Sequence, residues 1–144
     1  MERLKETLIV DASVIAKWFV TEEHTSEALT LRDAYLSGEI DLWSTELMPY
    51  EVLNALRHKP EIDARELRTA AKALAGYRIA LHPLLGELGE LSVENALRYG
   101  LTIYDSSYVS QSLFFDKPLY TADEKLLAKT RALTAIHHIS EYPG

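Results

Sequence analysis

The sequence predicts an α/β domain with a central, mostly parallel sheet and helices on both of its faces. Three observations lead there. Short apolar runs alternate with longer segments of helical period along the whole chain, the pattern of repeated strand–helix–strand units. The first such run ends Leu8-Ile9-Val10 and stops on Asp11, which suits a strand buried on both faces. The 144 residues, 47% of them hydrophobic, suit one compact domain over residues 1–144 with a sizeable core, and no repeat, low-complexity tract or Ser/Gly-rich linker divides them.

The elements follow in order. After the strand at 7–10, residues 13–20 read as a helix and 23–36 as a second, closed by Gly38. A strand at 41–44 leads into a helix over 45–58 that stops before Pro60. Asp63 is a good N-cap for a helix through 78. A short strand at 79–83 precedes a helix over 91–99 that ends at Gly100. Residues 102–104 lead into a helix over 105–115, and a strand at 119–121 is followed by Asp123 capping a helix to about 133. Residues 134–139 are expected as a last strand.

Composition narrows the function. With no cysteine, disulfides and thiolate metal sites are excluded. The charged start is not followed by the apolar run of a signal peptide, and no stretch reaches membrane length; the expectation is a cytoplasmic protein without membrane association. The formal net charge is −7, from 15 Lys and Arg against 22 Asp and Glu. That counts against a passive nucleic-acid-binding module. It counts less against a metallonuclease, whose carboxylate cluster is negative only until a cation occupies it.

Four acids stand in unusual places. Asp11 ends the first strand, and Asp123 follows a later one. Both therefore fall at the carboxyl edge of the sheet, where sites of open α/β folds gather. Glu51 lies in Met48-Pro49-Tyr50-Glu51-Val52-Leu53, bordering an apolar helix face, and Asp105 opens a helix in Thr102-Ile103-Tyr104-Asp105. Singly, each has a bland explanation: an N-cap for Asp11, Asp105 or Asp123, a solvated edge for Glu51. Jointly they suggest a cation site, because buried carboxylates are costly unless something positive compensates them. Oxygen ligands without cysteine or paired histidines select Mg²⁺ or Mn²⁺ over Zn²⁺, one or two ions per site. Without metal, four converging carboxylates should repel one another and raise at least one pKa.

Other classes fit less well. A haloacid-dehalogenase-type phosphotransferase needs a second Asp where Ser13 stands. A receiver domain needs an acidic pair before its first helix, and a dinucleotide-binding fold needs a glycine-rich turn after the first strand. The glycines are at 38, 76, 86, 89, 100 and 144.

The segments Ile9-Val10-Asp11-Ala12-Ser13, Tyr50-Glu51-Val52-Leu53-Asn54-Ala55-Leu56, Tyr104-Asp105-Ser106-Ser107-Tyr108 and Tyr120-Thr121-Ala122-Asp123-Glu124-Lys125-Leu126 resemble the successive motifs of PIN domains. Within that family the chain looks most like the VapC toxins of toxin–antitoxin pairs. The resemblance runs over the whole chain, in order. It implies a three-layer domain with about five parallel strands. It also implies an endoribonuclease that hydrolyses RNA with a water activated by Mg²⁺ or Mn²⁺. Asp11, Glu51, Asp105 and Asp123 carry over as the metal-binding, catalytic quartet. Ser13 and Thr121 carry over as polar groups that orient a carboxylate or a water; Asn54, one turn after Glu51, is a third candidate, with helix packing as its plain alternative. Ser106 departs from the family's usual Ala. The resemblance further implies a homodimer and a cognate antitoxin. The alternatives are a PIN-fold RNA-processing nuclease that is not a toxin, and a non-catalytic PIN-like assembly partner; the intact quartet speaks against the second.

Two further groups complete the candidates. Lys17, Arg57, Lys59, Lys125 and Lys129 flank the acids in sequence and are candidate RNA phosphate contacts, against a plain reading as solvated helix surface. Val14, Ile15, Trp18 and Phe19 form an apolar stripe after Asp11, read mostly as core or oligomer interface; the resemblance implies that part of it lines an antitoxin groove. The five histidines, at 24, 58, 82, 137 and 138, show no ligand spacing.

Overall fold

The computed structural model describes residues 4–142. Its elements are β1 (Glu6–Val10), α1 (Ala12–Ala16), α2 (Thr25–Leu36), β2 (Ile40–Thr45), α3 (Met48–Arg57), α4 (Ala64–Tyr77), β3 (Ala80–His82), α5 (Glu87–Tyr99), α6 (Ile103–Phe115), β4 (Leu119–Thr121), α7 (Glu124–Lys129) and β5 (Ile136–His138), followed by a 3-10 turn, Ile139–Glu141. The five strands form one parallel sheet in the order β3-β2-β1-β4-β5. The chain first builds outward from β1 through β2 to β3, then returns to the other side of β1 for β4 and β5. Right-handed crossovers put the helices of the two halves on opposite faces: α1 packs on α3 and α3 on α4, while α5 packs on α6 and α6 lies against β1, β2 and β4. The predicted α/β architecture is the observed one.

The central strands explain their sequence. Leu8, Ile9 and Val10 are all buried, because β1 has a neighbour on each side and a helix layer on each face. Ile9 is paired with Trp43 and with Leu119. Around them Ile15, Leu42, Met48 and Leu56 complete the core.

Several boundaries differ from the expectation, each for a physical reason. The first helix ends at Ala16 rather than 20, and residues 17–19 are turns in which Trp18 donates its indole N–H to the Ala28 carbonyl (2.9 Å). Thr45 is the last residue of β2, paired with His82, so the next helix starts only at Met48. The helix α5 begins at Glu87, four residues before the expected start. Gly86 takes φ 65 there, open to it because it has no Cβ, and Glu87 and Glu90 favour the helix N-terminus. The helix α7 stops at Lys129, and β5 keeps only three residues. Among the described residues no helix is long and apolar enough to cross a membrane.

One detail of α6 bears on function. Asp105 does not cap its helix. Thr102 is the N-cap, and its hydroxyl accepts the Asp105 backbone N–H at 3.0 Å. Capping is thus done by a neighbour, and the Asp105 carboxylate is left for other work.

Candidate active site

The sheet order places a switch point between β1 and β4, where the two halves of the chain diverge. Beyond the carboxyl ends of these strands a crevice must open. A cleft of about 360 Å³ lies there, and its lining includes Asp11, Glu51, Asp105 and Asp123. The four candidate acids, from 112 positions of sequence between first and last, come from the end of β1, α3, α6 and the start of α7. Larger hollows of about 510 and 550 Å³ exist elsewhere, and none of the four acids lines either of them.

Asp11 is 5% exposed and heavily bonded. Its Oδ1 accepts from the Ser13 hydroxyl (2.6 Å), the Ser13 N–H (3.1 Å) and the Val14 N–H (3.3 Å). Its Oδ2 accepts from the Thr121 hydroxyl. The two hydroxyls are themselves held from the other strand's end. Ser13 Oγ accepts the Ala122 N–H at 2.8 Å, and Thr121 Oγ1 accepts the Asp123 N–H at 3.0 Å. Two short relays thus join β1 to the turn after β4 through one carboxylate. Ser13 and Thr121 stand where the sequence put them, as groups that orient Asp11.

The other acids are anchored more lightly. Asp123 caps α7 through one oxygen, accepting the Lys125 and Leu126 N–H groups at 3.0 and 3.1 Å. Glu51 Oε1 accepts the Tyr108 hydroxyl at 2.7 Å. The Asp105 carboxylate makes no hydrogen bond among the described residues.

The ionisation of Asp11, Glu51 and Asp105 is perturbed. Burial pushes the Asp11 carboxyl up to about 6, against the pull of its hydrogen bonds, and the nearby Asp123 charge adds to the rise. Glu51 is raised by burial first, then by the charges of Asp105 and Asp123. Asp105 is raised by burial and by Asp123, with Lys129 opposing. The expected rise is present, but loss of solvent outweighs mutual repulsion as its cause.

The set suits a hard divalent cation in its chemistry: oxygen donors from four elements, sharing one cleft. Among the described residues, however, no three Asp, Glu, His or Cys side chains are gathered tightly enough to hold one ion as they stand. The expectation of a converged site is corrected to this extent: the acids surround the cleft, most of them turned toward their own hydrogen-bond donors.

The basic candidates divide. Lys17 and Lys59 line the cleft, and both are engaged by Glu22, at 3.2 and 3.1 Å. Lys17 is also buried, which departs from the plain reading of a solvated helix surface. Lys129 donates to the Gly100 carbonyl at 3.0 Å. Arg57 and Lys125 are exposed, outside the cleft lining. Asn54 is exposed and lines a neighbouring hollow with Leu47, Tyr50, Glu51 and Tyr104 rather than the acidic cleft. Of the apolar stripe, Val14 and Ile15 are fully buried core and form no groove, because α1 packs against α3 along that side. Trp18 and Phe19 do line a shallow depression with Leu56, Ile62, Arg65 and Ala70. No histidine lines the acidic cleft.

Two participants were missed. Tyr108 lies three residues after Asp105, so helical spacing puts them on one face; that signal was in the sequence. Glu22 sits in a loop, and nothing local announces that it meets both lysines.

No family model matches the sequence. A relative does: the chain is 32% identical over 136 residues to Ribonuclease VapC3 of Pyrobaculum aerophilum, covering 88% of this chain and 96% of that one. The chain belongs to the VapC family of PIN-domain proteins. Solved structures agree on the VapC fold. A crystal structure from Pyrobaculum aerophilum matches with TM-score 0.69 and 23% identity, over 94% of this chain and 85% of the other. A toxin–antitoxin complex from Klebsiella pneumoniae matches with TM-score 0.66 and 14% identity, over 90% and 94%.

Proposed function

We propose that residues 1–144 act as one nuclease domain, a metal-dependent endoribonuclease of the cytoplasm that is the toxin of a toxin–antitoxin pair. The observation that carries this reading is the gathering of Asp11, Glu51, Asp105 and Asp123 around one cleft at the switch point. The kinship with a ribonuclease supports the activity, and the likeness to a toxin–antitoxin complex supports the partner.

Asp11, Glu51, Asp105 and Asp123 would hold one or two Mg²⁺ or Mn²⁺ ions. Bound metal supplies an activated water and neutralises charge developing on the phosphate. The chain's own residues prepare the site. Ser13 and Thr121 fix Asp11 in one orientation, and burial keeps bulk water from screening it. Lys17 and Lys59, at the wall of the cleft, attract RNA phosphates when Glu22 releases them, and Lys129 beside Asp105 adds a third positive charge. Arg57 and Lys125 serve the outer path of the RNA. No histidine lines the cleft, and in this reading the nucleophile is water rather than a ribose 2′-hydroxyl.

The antitoxin occupies the depression at Trp18 and Phe19 and directs a basic side chain toward the acids, whose unneutralised charge attracts it. A second copy of the chain completes a homodimer.

The test is cleavage of RNA under defined metal. Cleavage requires Mg²⁺ or Mn²⁺ and leaves 3′-hydroxyl and 5′-phosphate ends. Undiminished cleavage in excess EDTA, or 2′,3′-cyclic phosphate products, overturns the reading. Asp11→Asn and Asp105→Asn each lower the cleavage rate by several orders of magnitude.

A further inference from the structure

We propose that Tyr108 is the positioning residue for Glu51: its buried hydroxyl holds one carboxylate oxygen and leaves the other facing the cleft for a divalent cation. This rests on the metal-dependent reading above. Tyr108 is 2% exposed and sits in the middle of α6, one turn beyond Asp105. Its hydroxyl reaches across to α3 and donates to Glu51 Oε1 at 2.7 Å. Both side chains line the same cleft.

The case turns on how unequally the acids are anchored. Asp11 accepts four hydrogen bonds and Asp123 two. Glu51 has the longest side chain of the four, hence the most rotamer freedom to lose, and its one hydrogen-bond partner among the described residues is Tyr108. Without that contact no hydrogen bond among the described residues fixes its carboxylate. The plain alternative is that a buried phenol needs some acceptor and Glu51 supplies it. That alternative predicts a stability effect indifferent to metal.

The two are separated by Mn²⁺ titration calorimetry, carried into the millimolar range, on the full chain and on Tyr108→Phe, Glu51→Gln and the double variant. Tyr108→Phe weakens Mn²⁺ binding tenfold to a hundredfold, the usual cost of losing a group that orients a ligand. In the Glu51→Gln background the same change has no further effect, because the oxygen it positions is already gone. Unchanged Mn²⁺ affinity in Tyr108→Phe overturns the proposal. So does an equal loss in both backgrounds, which marks a general packing defect. Wild type that takes up no Mn²⁺ sinks the metal reading itself, a different failure from either.

Discussion

At the scale of single residues, charge in this cleft is governed by who gets a partner. Asp11 takes four donors and is still raised to about 6, so burial is the larger force. Glu22 shows the opposite balance. Burial alone would raise it, but hydrogen bonds and charge from Lys59 and Lys17 hold it below the usual carboxylate range. One carboxylate thereby occupies two ammonium groups at the lip of the cleft. Replacing it by Gln keeps the shape and removes the attraction. Glu22→Gln should tighten RNA binding severalfold in EDTA. It should also steepen the fall of log K with log salt by about 1.4, the increment for two further contacts to single-stranded phosphates. Binding isotherms at several salt concentrations check this, and an unchanged slope means that the lysines do not reach RNA.

At the scale of elements, the site is a seam between β1 and the turn after β4, sewn by Ser13 and Thr121. Thr121 is fully buried; its hydroxyl donates to Asp11 and accepts the Asp123 N–H. Thr121→Val keeps the volume and strands both groups, which should cost about 2 kcal/mol by urea denaturation, within the range for unsatisfied buried polar groups. Thr121→Ser should recover most of that, and a Val variant as stable as wild type refutes the relay. The ends of this seam were legible in sequence because an apolar run closing on an acid marks a strand's carboxyl edge. The alternation that gives the parallel sheet was legible for the same local reason. Local pattern does not carry the rest: for Asp105 it leaves a cap and a site residue both open until Thr102 is seen to cap α6, and the early start of α5 depends on the backbone of Gly86. Tyr108 to Glu51 and Lys59 to Glu22 are pairings across 57 and 37 residues, set by packing rather than by periodicity. The same packing turned Val14 and Ile15 from a candidate groove into core.

At the scale of the molecule, a net charge of −7 is partly concentrated where it does the fold harm, and a bound cation would relieve it. Asp11, Glu51 and Asp105 all have folded-state pKa values raised above the unfolded ones. Stability from such groups is fully present below the unfolded pKa, near 4, and is lost as pH rises through the folded values, near 6 for Asp11. For that residue alone the loss is about 3 kcal/mol, at about 1.4 kcal/mol per pKa unit. Glu22 and Glu27, both lowered, run the other way, so the total profile mixes signs. The difference between wild type and Asp105→Asn isolates the cleft. Asp105 serves this purpose better than Asp11, whose Asn variant would turn an amide toward the Thr121 hydroxyl and disturb the seam. In EDTA, Asp105→Asn should match wild type near pH 4 and be more stable by up to about 1 kcal/mol at pH 7, a figure discounted for partial solvation. Saturating Mn²⁺ should invert the order, since wild type gains about 2.7 kcal/mol at a hundredfold excess over Kd and the variant much less. Thermal unfolding of both proteins from pH 4 to 8, with EDTA and with Mn²⁺, reads both arms. An Asn variant that melts below wild type in EDTA at pH 7 would show that Asp105 supports the fold, and that the acids are not held together at the expense of stability.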